Sequence, residues 1–145
     1  MGEVQVIAER GFTAPAEKMR AAVADYAETR RDMLTEHFSE YEVREGGQGA
    51  GTVVHWRLQA TKKRVRDCLM DVSAPQPGTL VESDRNSSMV TTWTVGATGD
   101  GSTVRVVTTW LGAGGIGGFF ERRFAPLGLR RIYDEMLNKL EAKVQ

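Results

Sequence analysis

The glycines that precede the last predicted helix match a spacing known from nucleotide binding. Gly112, Gly114 and Gly117 fit the pattern G-x-G-x-x-G, which lets a backbone approach the pyrophosphate of a dinucleotide. That chemistry also needs a second parallel strand after the helix. The residues after Gly117 are sufficient for one helix and no further strand. We therefore interpret the glycines as a sharp turn from strand to helix, and we predict no cofactor.

Acidic and basic side chains occur on neighbouring predicted strands in the middle of the chain. Arg66 shares a strand face with Cys68 and Met70, and Glu82 shares one with Asp84 on the next strand. A buried charge is costly unless it is paired. An inward Arg66 opposite Glu82 or Asp84 would form either a structural ion pair or an anchor for a polar group of a ligand. Pairing on the outer face of the sheet is the simpler interpretation.

Histidine and cysteine, which often serve as nucleophiles or metal ligands, are scarce in this chain. His37 and His55 are the only histidines, and Cys68 is the only cysteine. Their spacing does not match a metal site, so we predict none. His55 alternates with Arg57 and is expected to face solvent. His37 could lie at a cavity mouth, but a structural or exposed position is the simpler interpretation for both histidines. The candidates for proton transfer are Tyr133, Arg66 and Asp84.

Aromatic and methionine side chains could line an apolar cavity. Trp56, Trp93 and Trp110 each lie on an alternating strand with apolar residues on the same face. Buried Trp and Tyr side chains need hydrogen-bond partners, which a hydrated cavity can supply, and Met gives an adaptable lining. The alternative is that these side chains only fill the core. The predicted ligand-binding residues are Trp56, Met70, Met89, Trp93, Trp110, Phe120, Phe124, Tyr133 and Met136.

A regular succession of predicted elements carries these residues. Alternation over residues 4–9 predicts a first strand, an apolar stripe from Met19 to Tyr26 predicts a helix, and a second short helix is predicted around Arg30–Phe38. The apolar period then changes to two, with turns at regular intervals. The six further strands are predicted at Tyr41–Glu45, Thr52–Ala60, Lys63–Ser73, Thr79–Asp84, Ser88–Ala97 and Thr103–Leu111.

A long helix is predicted at the C-terminal end, because apolar residues from Leu129 to Leu140 repeat at helical spacing. Pro126 and Gly128 are expected to bend or break the chain just before it. Short links between strands favour antiparallel pairing. The predicted fold is α+β, with a seven-stranded curved antiparallel sheet, two short helices after strand 1 and the long helix over a cavity.

Composition narrows the classes of function. The chain of 145 residues is expected to be one domain, spanning 1–145, with 41% hydrophobic and 26% charged residues. Its 19 basic and 19 acidic side chains cancel, which argues against a nucleic-acid partner. We find neither a signal peptide nor an apolar run that could span a bilayer, so a cytoplasmic protein without stable membrane insertion is expected. It is expected to be a monomer or a weak dimer.

Several stretches give the chain a resemblance to a known family. They are "FTAPAEKMRAAVADY" after the first strand, "VRDCLMDV" in the middle, and "GGFFERRFAP" before the last helix. With the order of elements, they make the chain resemble the polyketide cyclase/dehydrase branch of the START-like, Bet v 1-like (SRPBCC) superfamily, of the actinobacterial type. The resemblance implies a helix-grip fold with a deep cavity between sheet and C-terminal helix. It also implies a lipid, polyketide or similar apolar ligand.

Two hypotheses of function follow. The first is a binding protein that encloses an apolar or amphipathic small molecule, for which burial of apolar surface suffices. The alternative is a polyketide cyclase or dehydratase that uses acid–base chemistry in the same cavity. In either case the ligand must enter, and Phe120 and Phe124 could form a gate with Gly112–Gly118 as its hinge. The other interpretation of these glycines is a static turn.

Overall fold

The computed structural model describes residues 2–61, 64–112 and 115–144, and only the backbone at 60–61, 64 and 115–125. Its elements follow in the predicted order of one strand, two helices, six strands and one long helix. The helices are α1 (Ala16–Ala24), α2 (Thr29–Asp32) and α3 (Gly115–Val144). The strands are β1 (Glu3–Phe12), β2 (Phe38–Glu45), β3 (Val53–Thr61), β4 (Arg64–Gln76), β5 (Thr79–Asp84), β6 (Val90–Thr98) and β7 (Gly101–Leu111).

The strands form one antiparallel sheet in the order β1-β7-β6-β5-β4-β3-β2. Strands β2 to β7 pair with their neighbours in sequence, and β1 pairs along its length with β7, from Glu3 opposite Leu111 to Phe12 opposite Ser102. The pairing register shifts within β2–β3, β3–β4 and β4–β5. Such irregularities bend strands. The predicted helix-grip α+β fold is confirmed.

One face of the sheet is buried under the helices. Alternate residues of β1, including Val4, Val6 and Ala8, are buried, as the period of two predicts. On α3, Tyr133 and Met136 are buried against the sheet. Further core residues of this helix are Leu129, Ile132, Leu137, Leu140 and Val144. The core therefore lies between the sheet and the apolar stripes of α1 and α3.

The structure corrects several element boundaries. The second helix ends at Asp32, because Phe38 and Ser39 join the sheet opposite Leu58 and Arg57 instead of continuing a helix. Strand β4 runs to Gln76, through the predicted turn, since the β4–β5 register shifts just there and an irregular pairing accommodates a proline.

The long helix begins earlier than predicted. Its backbone is helical from Gly115 to Val144 and continues through Pro126 and Gly128, so of the predicted bend or break the break is wrong. A proline inside a helix removes its own N–H donor, and here the helix continues without that hydrogen bond. Gly115, Gly117 and Gly118 thus belong to the helix. No helix in the described ranges is long and apolar enough to cross a membrane.

Candidate ligand cavity

A cavity of about 490 Å³ opens between α1, the β2–β3 loop and the β4–β5 turn. Its volume lies in the range of small-molecule sites. Most of its lining is apolar, and the side chains that form its walls include Val23, Ala24, Pro75, Pro77, Leu80 and Trp93. The cavity is thus beside α1, whereas the resemblance places a deep cavity under the C-terminal helix. The side chains of the first part of α3, over that region, lie outside the described residues.

Helix α1 forms one wall because of its periodicity. Arg20, Val23 and Ala24 stand at i, i+3 and i+4 and so lie on one face. Val23 is buried, with 1% of its surface exposed, while Arg20 is exposed at the rim. The helix therefore presents an apolar surface inside the cavity and a cation at its opening.

The β4–β5 turn forms the opposite wall and depends on a glycine. Gly78 has a φ of +79°, and its carbonyl oxygen accepts a hydrogen bond from the Val95 N–H at 2.8 Å. A Cβ at this position would lie 2.8 Å from the Val95 carbonyl oxygen and 3.1 Å from Arg20 Nε. Only glycine fits without strain. The missing side chain lets the turn close against β6 and leaves room for the Arg20 guanidinium.

Trp93 separates the cavity from the interior of the fold. Its indole lines the cavity, is 1% exposed, and donates from Nε1 to Glu82 Oε1 at 3.3 Å. On the other side it meets the Tyr133 ring edge-on, with 6.4 Å between ring centroids. Such an edge-to-face contact is a favourable aromatic geometry. Trp93 is therefore a fixed wall between the cavity and the core beneath α3.

Behind Trp93 lies a buried ion pair. Arg30 Nη2 is 2.7 Å from Glu82 Oε2, and the two side chains are 4% and 2% exposed. Tyr26 Oη donates to the same oxygen at 2.5 Å, and Arg30 Nη1 donates to the Val23 carbonyl at 3.0 Å. The guanidinium also lies between the Tyr26 and Trp93 rings, 4.5 and 4.4 Å from their centroids. Charge pairing, hydrogen bonds and cation–π contacts offset part of the loss of hydration, while Arg30 Nε is buried without a hydrogen-bond partner among the described residues.

The protonation states of this cluster follow from burial and charge. Burial by itself lowers the pKa of Arg30, but the Glu82 carboxylate outweighs that effect and raises it above its ordinary value. Burial raises the pKa of Tyr26 well above its usual range. At neutral pH the cluster therefore contains the Arg30 guanidinium and the protonated Tyr26 phenol, and both donate hydrogen bonds to Glu82.

Hydrogen bonds to the Asp25 carboxylate hold the turn that precedes Arg30. Asp25 Oδ2 accepts hydrogen bonds from the Thr29 N–H at 3.1 Å and the Thr29 hydroxyl at 2.9 Å. Gln48 Nε2 donates to Asp25 Oδ1 at 2.7 Å. Burial raises the pKa of Asp25, but these hydrogen bonds outweigh it and hold the pKa below its usual value. This turn directly precedes α2, and so it helps to orient the Arg30 side chain.

The ionic partners differ from those that the sequence suggests. Glu82 is inward, yet it pairs with Arg30 of α2, and the Arg66 guanidinium instead lies 5.9 Å from the centroid of the Trp110 ring. Asp84 accepts hydrogen bonds from the Leu69 N–H at 3.0 Å and from the Asn86 N–H and Ser87 hydroxyl. It thus holds the β5–β6 turn. Sequence reasoning named no role for Arg30, and the alternation of β5 was the only signal that Glu82 needs a buried cation.

Tyr133 has hydroxyl partners. Its Oη is 2.5 Å from Thr108 Oγ1, which is 2.7 Å from Thr91 Oγ1. Burial raises its pKa to about 12, so the phenol stays protonated at neutral pH. Burial likewise raises the pKa of the Cys68 thiol to about 12. In the described part of the chain, Tyr133, Arg66 and Asp84 each contact other groups and do not form an acid–base pair.

The other predicted ligand-binding residues whose side chains the structure describes lie in the core. Trp56 stacks on Tyr41 with 6.2 Å between ring centroids and meets Phe38 edge-on. The buried residues Met70, Met89, Trp110 and Met136 face the same interior. The side chains of Phe120 and Phe124 lie outside the described residues. Of the predicted set, Trp93 is the residue that lines the described cavity.

The histidines have structural contacts. His55 lies on the opposite strand face from Trp56, as predicted, and its ring nitrogens meet the Glu40 carbonyl at 2.9 Å and Asp67 Oδ1 at 2.8 Å. His37 Nδ1 is 2.9 Å from Thr35 Oγ1. Over the described ranges, His, Cys, Asp and Glu side chains form no group of three that could hold a metal ion.

Comparison with known proteins gives the family. The family model described as "Polyketide cyclase / dehydrase and lipid transport" matches residues 3–145. The chain belongs to this family. A search of the curated proteins found no match.

Solved structures share the fold of this chain. The solution structure of the KanY protein is 51% identical, with a TM-score of 0.90 and 99% of each chain covered. The Zhui aromatase/cyclase from Streptomyces sp. R1128 is 13% identical, with a TM-score of 0.75 over 99% of this chain and 94% of that chain. A START superfamily protein from Mycobacterium smegmatis is 12% identical, with a TM-score of 0.72 over 99% and 97%. These last two likenesses show the shared fold.

Proposed function

We propose that this protein binds an apolar or amphipathic small molecule in the cavity that Trp93 walls. The observation that carries the proposal is the meeting of apolar side chains from α1, β5 and β6 around an open volume of about 490 Å³. Val23, Leu80 and Trp93 are otherwise well buried, at 1%, 9% and 1% exposure. The family, whose description includes lipid transport, supports the same class of ligand.

Apolar burial supplies sufficient free energy for such binding. A ligand that buries about 300 Å² of apolar surface gains on the order of 7 kcal/mol before the cost of association. The fixed wall reduces that cost, because Trp93 is already held by its hydrogen bond to Glu82 and by its contact with Tyr133. No side chain has to be ordered at this wall when the ligand arrives.

The proposal is a binding function and does not include catalysis. Tyr133 contacts Thr108, and Asp84 holds the β5–β6 turn. A cyclase or dehydratase needs an acid and a base within reach of one substrate. Among the described side chains, the candidates do not provide that pair.

The test uses one substitution at two places on α1. Ala24→Leu adds a larger side chain inside the cavity, and Ala21→Leu adds the same side chain on the exposed face of the helix. Dodecanoate and anilinonaphthalene sulfonate are titrated while tryptophan emission is recorded. We expect saturable quenching in the natural protein and in Ala21→Leu, and binding weakened about tenfold or more in Ala24→Leu. Equal binding by all three proteins would place the ligand elsewhere.

A further inference from the structure

The described lining of the cavity carries one charged residue, and it is a cation. Arg20 stands at the rim, and the remaining lining residues are apolar or uncharged. No Asp or Glu belongs to this lining. A ligand whose apolar part fills the cavity must therefore place its outer end beside a positive charge.

Arg20 is available for a ligand, unlike Arg30. The Arg30 guanidinium is already occupied by Glu82 at 2.7 Å and by the Val23 carbonyl. Arg20 makes no ion pair or hydrogen bond with another described residue, although Glu17 lies one helical turn away. A free guanidinium offers several donors in a planar fork, which matches the oxygens of a carboxylate or phosphate.

The fold leaves room for this guanidinium at the cavity mouth. A Cβ at Gly78 would lie 3.1 Å from Arg20 Nε and 3.7 Å from Arg20 Cζ. Any larger residue in the turn would push the guanidinium away from the opening. Arg20 on α1 and the β4–β5 turn that leaves room for it thus belong to separate elements and lie together at the cavity opening.

We propose that the cavity selects amphiphiles with an anionic head group, an inference that rests on the proposed binding function. The apolar part packs against Val23, Leu80 and Trp93, and the oxyanion pairs with Arg20 at the rim. Fatty acids, aromatic acids and phosphate esters share this chemistry. Because the rim is open to water, the pair contributes selectivity more than total affinity.

The experiment compares probes that share one apolar chain and differ in head group: dodecanoate, dodecanol and dodecylammonium. Dodecanoate and dodecylammonium are titrated below their micelle concentrations and dodecanol below its solubility, at low and at high salt, with tryptophan emission as the signal. In the natural protein we expect dodecanoate to bind about threefold to tenfold more tightly than dodecanol at low salt. This preference should decrease at high salt.

Variants of one side chain give the decisive comparison. Arg20→Gln should bind dodecanoate and dodecanol equally, and Arg20→Glu should prefer dodecylammonium. Lys18→Gln removes a positive charge from the same helix outside this cavity and should keep the preference for dodecanoate. Circular dichroism checks that each variant folds, as expected for an exposed side chain.

The outcomes separate this inference from the proposed function. If dodecanol binds as tightly as dodecanoate, or if Arg20→Gln keeps the preference, the anion selectivity is overturned and the binding function stands. If Lys18→Gln loses the preference as Arg20→Gln does, overall charge is the cause and the assignment to Arg20 is overturned. If none of the probes binds the natural protein, both proposals are overturned.

Discussion

Removing the buried cation behind Trp93 should destabilise the fold more than any surface change. In Arg30→Met the long apolar side chain keeps the volume, but the Glu82 side chain, 2% exposed, loses its counter-ion. Tyr26 and Trp93 remain as its hydrogen-bond donors. Breaking a buried pair from one side costs about 3–5 kcal/mol. That is a large part of the roughly 5–15 kcal/mol that holds a typical domain folded.

A second substitution isolates the cause. Glu82→Gln removes the negative charge and keeps an oxygen that can accept from Tyr26. The double variant Arg30→Met/Glu82→Gln contains no uncompensated charge, so we expect it to recover about 2 kcal/mol or more relative to Arg30→Met. Arg31→Met is the matched control, because Arg31 lies in the same short helix but is exposed. It should change stability by about 0.5 kcal/mol or less.

The assay is urea unfolding followed by far-ultraviolet circular dichroism, since tryptophan emission would itself respond to changes at Trp93. The free energy of unfolding and the m-value are fitted for all four variants. The reasoning is refuted if Arg30→Met costs no more than Arg31→Met. It is also refuted if the costs of Arg30→Met and Glu82→Gln simply add in the double variant.

Three further predictions concern other parts of the molecule. The hydrogen bond to Asp67 raises the pKa of His55 above its ordinary 6.5, so the stability that this pair adds is present below pH 6.5 and is lost as pH rises through the higher folded-state value. Urea unfolding at several pH values should show the difference in free energy of unfolding between the natural protein and His55→Gln shrinking over that rise, and a constant difference would contradict this. Gly78→Ala should lower the free energy of unfolding by about 1–3 kcal/mol because of its positive φ and the nearby Val95 carbonyl, and an unchanged urea midpoint would argue against that strain. If Phe120 and Phe124 form a gate, amides near them should exchange faster in the empty protein than with dodecanoate bound, whereas equal protection would contradict the gate.

The regular helices and strands could be predicted because burial of one face makes apolar residues repeat at a fixed spacing in the sequence. Alternation in β1 and the helical repeat from Leu129 to Leu140 predict which face of each element is buried in the core. Interruptions of a pattern are harder to interpret. Pro126 suggests the end of a helix, but the backbone of α3 continues through it.

The candidate site could be predicted only in part. Alternation predicted Trp93 as a cavity residue and left an inward Glu82 as the alternative to pairing on the outer face. The cation beside them comes from a four-residue helix that has no periodicity of its own. Its direction depends on the contact between Asp25 and Gln48, which are distant in sequence. The position of the cavity likewise depends on how closely the β4–β5 turn approaches α1, which a single glycine decides.

The most direct test of the binding function is a titration of isotope-labelled protein with dodecanoate, followed in proton–nitrogen correlation spectra. Trp93, followed by its indole N–H, and Val23, Ala24, Gly78 and Leu80, followed by their amides, are residues that line the cavity. We predict that these signals shift together and saturate, and that Ala24→Leu reduces the shifts. A saturable shift confined to other residues, or no shift at all, would contradict a ligand site at this cavity.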